Sequence, residues 1–358
     1  MKAILTGGGR ATRLRPITYT WNKHLIPLAN KPMIFHAIEK VVEAGITDIA
    51  INTNPGETEL QKYIGDGSKW GANIHFFEQR GGPLGIANVP KQAEEWLNGS
   101  PFLFYLSDNI VLGSLKSFAD HFINGNFDAL MALARVSDPH RFGVPEIVDG
   151  KIVYLEEKPA VPKSSYAVTG LYLFSPEFFD AYSTIAPSAR GEYEITDIYN
   201  WFLANKRNVG YQEITGWWKD TGKPDDLLEA NALLLNDRAA GAVRNEGSVD
   251  ETAIIQGRVS IGKGSVIGAG CLVRGPVSIG SDCVIERSCI GPFTSIGNNA
   301  RITDAEIDHS IIFCDATISC KRRLVDALIG KNAIVTSAED TKPNGHKLII
   351  GDNAVVEL

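Results

Sequence analysis

The sequence is poor in the side chains that build redox and metal centres: 358 residues carry five cysteines, all in the last third (Cys271, Cys283, Cys289, Cys314, Cys320), with no CxxC pair. That weakens zinc and thiol-redox readings. No apolar run approaches the roughly 20 residues that span a bilayer, and the start MKAILTGGG has one lysine and too short an apolar stretch for a signal peptide. A soluble, cytoplasmic protein without a membrane partner is the expectation. An excess of positive charge is missing too. The formal net charge of −7 argues against a general nucleic-acid binder, so any anion site has to be a local island of Arg and Lys. No Ser-His-Asp or Cys-His arrangement for nucleophilic catalysis stands out.

What the chain has is length and pattern. With 358 residues and 44% hydrophobic content it is too long for one ordinary core, and two domains are expected. Val249, Ile255, Ile261, Ile267, Val273, Ile279 and Ile285 recur every sixth residue, and glycine follows Ile261, Ile267, Ile279, Ile290 and Ile296. Where about half of positions are apolar, such a run arises by chance about once in 100. It is the hexapeptide signature of a parallel β-helix, each coil burying one branched side chain per face. Cys271, Cys283 and Cys289 each lie four residues after a repeat Ile, as do Ser265 and Val277 counted from theirs, which reads as a second, smaller inward position. The register slips near Ile290 and Ile307, leaving Cys314 and Cys320 unplaced.

Upstream, strands and helices alternate. Lys2 to Thr6 reads as a buried strand; Ile34, Ala37, Ile38, Val41 and Val42 keep the spacing of an amphipathic helix begun at Pro32 and stopped at Gly45. Ile49 to Asn52, Asn73 to Glu78, Phe102 to Leu106 and Ala129 to Ala134 read as further strands, with helical stretches such as Pro90 to Leu97 between them. These are the βαβ units of an α/β fold with a mainly parallel sheet, whose sites lie at the carboxyl ends of strands. A last helix, about Pro224 to Asp237, ends this part; "NDRAAGAVRNEG" reads as a joint, and Leu348-Ile349-Ile350-Gly351 as a closing coil. The domains are 1–237, a linker 238–247, and 248–358.

Chemistry has few places to sit. "GGGRATRLRP" (Gly7 to Pro16) follows the first strand and suits either a phosphate cradle, with backbone N–H groups and arginines around an anion, or a basic turn. Asp108-Asn109, just past another strand, is either a carboxylate facing that loop for Mg2+ or a plain turn. Asp220 in "GWWKDTGKP" is either a second acid or a helix cap, and Trp217 and Trp218 are either core or ligand stackers. "NKHLIPLANKPM" with Lys23, "LEEKPAVPK" with Glu157 and Lys158, and "SARGEYEITD" with Arg190 and Asp197 place isolated cations on loops of an acidic chain.

In order, GGRATRLRP, NKHLIPLANKPM, GDGSKWGANIHFFEQ, GPLGIA, LSDN, RFGVPE, EEKP, VTGLYLF, SARGEYEITD and GWWKDTGKPDDLLEAN resemble the sugar-1-phosphate nucleotidylyltransferases, and within them the long-form glucose-1-phosphate thymidylyltransferases. The likeness covers essentially the whole chain, including "GPFTSIG", "DAEIDHSII" and "IIGDNAVVEL" in the tail. It implies a Rossmann-like nucleotidyltransferase domain followed by a left-handed parallel β-helix. By the same resemblance Gly8, Gly9, Thr12 and Arg13 attend the nucleoside triphosphate, Lys23 holds the reacting phosphate oxygens together, and Gln79 and Gly85 read the pyrimidine edge. Asp108 and Asp220 bind Mg2+; Gly143, Glu157 and Thr169 border the hexose, while Lys158 and Arg190 hold its phosphate. Two positions depart from the family pattern: Ala11 stands for a glycine before Thr-Arg-Leu, and Ser107 for the glycine before Asp-Asn. If position 11 needs a positive φ, alanine costs about 1 kcal/mol there; Ser107 is expected to put a hydroxyl close to the metal and the nucleotide.

The implied reaction joins dTTP or UTP to glucose 1-phosphate, releasing pyrophosphate by in-line attack on the α-phosphorus. Its partners are small molecules, and a homo-oligomer is expected from the flat faces of the solenoid. The alternatives are a silent sensor or scaffold on the same fold, and a bifunctional enzyme whose repeats also transfer an acyl group, for which His309 is the one general-base candidate in the repeats.

Overall fold

Apolar stretches set the strands. In chain order the first part holds β1 (Lys2–Thr6), β2 (Asp48–Thr53), β3 (Asn73–Glu78), β4 (Phe102–Tyr105), β5 (Asn109–Val111), β6 (Ala129–Arg135), β7 (Gly143–Val148), β8 (Lys151–Glu157), β9 (Tyr166–Phe174), β10 (Val209–Glu213) and β11 (Trp218–Asp220). The main helices are α1 (Met33–Glu43), α2 (Leu115–Asn124), α3 (Ile195–Ala204) and α4 (Pro224–Arg238). The computed structural model describes residues 1–214, 216–238, 244–337 and 353–356. Residues 239–243, half of the linker reading at 238–247, and the closing coil read at Leu348-Ile349-Ile350-Gly351 lie outside the described residues. Two units emerge by contact: Met1–Arg10 with Ile34–Asp220, and Ala11–Met33 with the chain from Thr221 onward.

In the first unit seven strands form one sheet in the order β10-β6-β9-β4-β1-β2-β3. Pairing is parallel at β1/β2, β1/β4, β2/β3 and β6/β10, and β9 alone runs antiparallel to its neighbours β4 and β6. The run Ala167 to Phe174, buried at every step and apolar but for Thr169 and Gly170, suits a strand inside the sheet and covered on both faces. Phe174 packs on Phe178, Tyr199 and Phe102, with ring centroids 5.0, 4.9 and 5.8 Å away. Strands β7 and β8 form a separate antiparallel arm that sets Gly143 opposite Glu157.

The repeats of the second unit stack as three parallel sheets of a left-handed β-helix. Val249, Ile267, Ile285, Ile302, Ile318 and Val335 line one. The second takes Ile255, Val273, Ile290, Ile307 and Leu324. Ile261, Ile279, Ile296, Ile312 and Ile329 make the third. The register slips at four corners. The steps from Ile285 to Ile290, Ile302 to Ile307, Ile307 to Ile312 and Leu324 to Ile329 are one residue short of six; they hold the left-handed residues Arg287, Asp304, His309 and Asp326, just as six-residue steps hold Asp282, Asn299 and Asp315. A tighter corner thus replaces the six-residue one without moving the inward side chains.

That corner corrects the cysteine assignment. Cys271 and Cys283 fill inward positions and are buried, but the shortened step puts Ser288 inward instead and leaves Cys289 partly exposed. Arg287 pairs with Asp304 at 2.8 Å across two such corners, and His309 pairs with Asp326 across two others. Among the described residues no helix is long and apolar enough to cross a membrane.

Candidate active site

In the first unit the loops after β1 and β4 emerge side by side, because Leu5 is registered against Tyr105. Here the chain tightens. A side chain at Gly7 would meet the Asn52 carbonyl oxygen at 2.6 Å, and one at Gly8 would meet the side chains of Asn52, Gln79 and Asn54 within 3.3 Å. The backbone itself therefore faces this end of the sheet. The Gly7 N–H donates to Asn52 Oδ1 at 3.0 Å, and the Gly9 N–H to Asn54 Oδ1 at 2.9 Å. Asn52 also donates to Gln79 Oε1 (3.4 Å), whose amide donates to the Gly82 carbonyl (3.1 Å). Gly8, Gly9 and Gln79 are thus brought together by two asparagines at the end of β2 that the sequence reading passed over. The hint was in the chain: polar Asn52-Thr53-Asn54 closes an otherwise apolar strand.

The second loop carries the acids. Strands β5 and β11 pair antiparallel with Asp220 opposite Asn109, so Asp220 comes to the neighbour of Asp108. Asn109, buried to 4% exposure, is the fastening. Its amide donates to Asp108 Oδ1 at 3.0 Å, while its own oxygen accepts the Trp218 indole N–H at 2.8 Å. Trp218 in turn sets its ring edge-on to Phe142, centroids 5.3 Å apart, which makes it a support for Asn109. Burial first, and the Asp108 carboxylate second, push the Tyr105 phenol well up; for Tyr172 burial is followed by Glu157 and then Asp108. A side chain at Gly143 would meet Glu157 Oε2 and Val168, and one at Gly170 would meet the Asn109 amide, so Glu157 and the Asp108-Asn109 turn both lie along β9. Ser107, fully buried, donates its N–H to Thr6 Oγ1 (2.9 Å) and its hydroxyl to the Thr6 carbonyl, clamping the ends of β1 and β4. The Ser107 hydroxyl thus has a partner in the Thr6 carbonyl, across the ends of the two strands.

The third group centres on Glu157. Lys158 Nζ lies 3.1 Å from Glu157 Oε1 and Arg190 lies 3.5 Å from the same oxygen. Arg190 is also held by Glu194 (2.8 Å) and Glu192 (3.6 Å). Glu194, 7% exposed and bonded by the Ser188 hydroxyl at 2.7 Å, is a partner that the sequence reading did not single out. Gly143 leaves room for Glu157: a side chain there would come within 3.3 Å of Glu157 Oε2. Gly85 lies against the Tyr193 backbone, linking the loop after β3 to this one, and the Tyr193 N–H donates to the Leu84 carbonyl at 2.8 Å. Thr169 is buried and donates its hydroxyl to the Ala132 carbonyl (2.9 Å) at the irregularity between β9 and β6.

Thr12, Arg13 and Lys23 belong to the second unit and are described there. Thr12 and Arg13 open a short 3-10 turn after Ala11, whose φ of +43° and ψ of +43° are left-handed. Position 11 thus has the conformation that favours glycine. Lys23 opens another such turn, started by the Asn22 side chain accepting from the His24 N–H at 2.8 Å.

Among the described residues no group of three or more His, Cys, Asp and Glu is arranged to hold a metal ion. Asp108 and Asp220 offer oxygen donors alone, on neighbouring strands. That suits Mg2+, which is commonly held by one or two carboxylates with phosphate and water filling the rest, better than a metal that needs a full protein cage.

A seven-stranded, mainly parallel α/β sheet with a glycine loop after its first strand, an acidic turn after β4 and two cations beside Glu157 suits a nucleotide-handling transferase. The sequence profile of the Nucleotidyl transferase family matches residues 2–237, and the chain belongs to that family. It is 41% identical, over all of its length and 99% of the other's, to a glucose-1-phosphate thymidylyltransferase of Streptomyces antibioticus. To the low-salt glycan biosynthesis nucleotidyltransferase Agl11 of Haloferax volcanii it is 40% identical with both chains fully covered. A crystal structure of UDP-glucose pyrophosphorylase with UDP-glucose superposes with a TM-score of 0.60 at 25% identity, covering 66% of this chain and 99% of that one. The likeness to the full-length relatives runs through the repeats, so this is a long-form enzyme of sugar-phosphate nucleotidyl transfer.

Proposed function

We propose that the protein makes dTDP-glucose or UDP-glucose and pyrophosphate from dTTP or UTP and glucose 1-phosphate. The observation that carries this reading is the β5/β11 pairing, which sets Asp220 opposite Asn109, the residue that follows Asp108 in the chain. The bound sugar-phosphate oxygen is already ionised at neutral pH and attacks the α-phosphorus, with the pyrophosphate oxygen leaving on the far side. No general base is required. Two anions have to meet, and holding them in line supplies about 7 to 11 kcal/mol of the barrier.

The protein's own groups divide that work. Gly8, Gly9 and Thr12 offer backbone N–H groups to the triphosphate, Arg13 neutralises it, and Lys23 draws the attacking and α-phosphate oxygens together. Gln79 and Gly85 read the pyrimidine. Glu157, Gly143 and Thr169 shape the hexose pocket, and Lys158 and Arg190 take the sugar phosphate, Arg190 exchanging carboxylate partners for phosphate as it does so. Asp108 and Asp220 hold Mg2+, which when bound adds charge neutralisation on the α-phosphate. The protein works as a homo-oligomer, a reading supported by branched side chains on the outer coils such as Ile254 and Ile334, 54% and 74% exposed.

Pyrophosphate release across a matrix of nucleotides and sugar phosphates with Mg2+ tests the reading. Turnover is expected with dTTP or UTP and glucose 1-phosphate; none with any pair sinks it. Asp108→Asn and Asp220→Asn should each lower turnover by about two orders of magnitude or more with the fold retained, since several kcal/mol of charge stabilisation go with a metal ligand. Near-normal rates for both would refute the metal assignment.

A further inference from the structure

The segment that carries Arg13 and Lys23 shares its unit with the coils, and three contacts show how it is held. Trp21 meets Phe313 of the β-helix edge-on, with centroids 5.8 Å apart and planes at 76°. Downstream, Pro27–Leu28 and Lys31–Pro32 form a hairpin whose two-residue tip, Ala29-Asn30, has φ of 49° and 61°, the positive pair that a type I′ turn demands. Neither tip residue is glycine. The Asn30 amide explains the tolerance: it donates to the Ser278 carbonyl (3.0 Å), the Ser278 hydroxyl (3.0 Å) and the Ile296 carbonyl (2.9 Å), on two successive coils of one sheet.

The third contact is Asn231 on α4, fully buried. Its oxygen accepts from the Ala29 N–H at 2.8 Å and the Ser295 hydroxyl at 2.9 Å, and its NH2 donates to the Phe293 carbonyl at 3.0 Å. One side-chain amide thus joins hairpin, helix and coil, and a buried amide is costly to leave half-paired. Lys23 sits between the Trp21 and Ala29-Asn30 anchors. Its carbonyl accepts from the Ile26 N–H (3.1 Å), the Ile26 carbonyl from the Met33 N–H (3.0 Å), and Leu25, Ile26 and Leu28 are buried. The Lys23 turn has little freedom of its own.

We infer that the β-helix is a positioning device for the reaction: through Asn30 and Asn231, as positioning residues, its third sheet fixes the Lys23 turn. This rests on Lys23 being a cation of the proposed reaction. Asn30→Gly is the direct test, because glycine keeps the left-handed backbone while deleting the bonds to Ser278 and Ile296. In the full-length protein with saturating dTTP and glucose 1-phosphate, kcat should fall about 10- to 100-fold, with both KM values within about twofold and the melting transition intact. In a Lys23→Ala background the same substitution should change kcat by less than about twofold, because both act through one group.

An unchanged kcat in Asn30→Gly, or the same fall in both backgrounds, overturns the inference. Should Asn30→Gly lose its cooperative melt, Ser295→Ala, which removes one donor to Asn231, is read in the same cycle. A smaller fall that vanishes without Lys23 supports the inference, and an additive or absent one overturns it. Lys23→Ala alone separates the two ideas: a wild-type rate there refutes the role of Lys23, whereas a slow Lys23→Ala with a normal Asn30→Gly refutes only the positioning.

Discussion

Asn109 shows how one side chain converts a turn into a site. Asp108-Asn109 is open in the sequence to a metal ligand or an ordinary turn, and the buried amide between Asp108 and Trp218 decides how the acid is held. Asn52, Asn54 and Glu194 act likewise on the glycine loop and on Arg190. Such partners escape a motif search because their role is a hydrogen bond across the fold rather than a charge on a loop. Ala11 is legible from both sides: its left-handed conformation costs about 1 kcal/mol, and the observed φ of +43° shows that the cost applies. Ala11→Gly removes that strain but loosens the unfolded chain by 0.4 to 1 kcal/mol, leaving stability within about 0.5 kcal/mol of wild type. Ala11→Val, β-branched at positive φ, should lose about 1 to 3 kcal/mol. Urea melts of both variants check this, and an equal loss in the two would contradict it.

The repeat coils carry the clearest element-scale lesson. Periodicity alone located the β-helix and the inward branched residues, because each inward position is buried by its neighbours above and below. It could not place Cys289, since a five-residue corner shifts the inward position by one residue. Burial pushes the Cys271 and Cys283 thiols up, so both should stay protonated and sheltered near pH 8 while Cys289 is within reach. Iodoacetamide on the native protein, followed by peptide mass spectrometry, should label Cys289 first and reach Cys271 and Cys283 only after unfolding. Labelling of Cys283 as fast as Cys289 would contradict the packing. Strand β9 was missed as an element for a different reason: a fully buried run such as VTGLYLF has no alternation to announce a strand, and its antiparallel direction is set by its partners.

For the whole molecule, assembly is the property that follows from exposed faces rather than from any one residue. If branched side chains on the outer coils meet another copy, light scattering at micromolar concentration should give a mass above the 38.9 kDa of one chain; a monomer alone would contradict the homo-oligomer. Substituting Ile254 and Ile334 with Asp should then shift the mass downward while each chain still melts cooperatively. What the amino-acid sequence by itself determined was the α/β part with its strands β1, β3 and β6, the hexapeptide solenoid after it, and the charged stretches that hold the candidate chemistry. Those are local properties: periodicity, glycine placement and charge are written residue by residue. Only the tertiary structure decided that Asp220 lies opposite Asn109, that Glu157 reaches Arg190, and that the Lys23 turn is built on the coils. These depend on strand pairing and buried amides joining residues far apart in the chain, and no short window of sequence contains both partners.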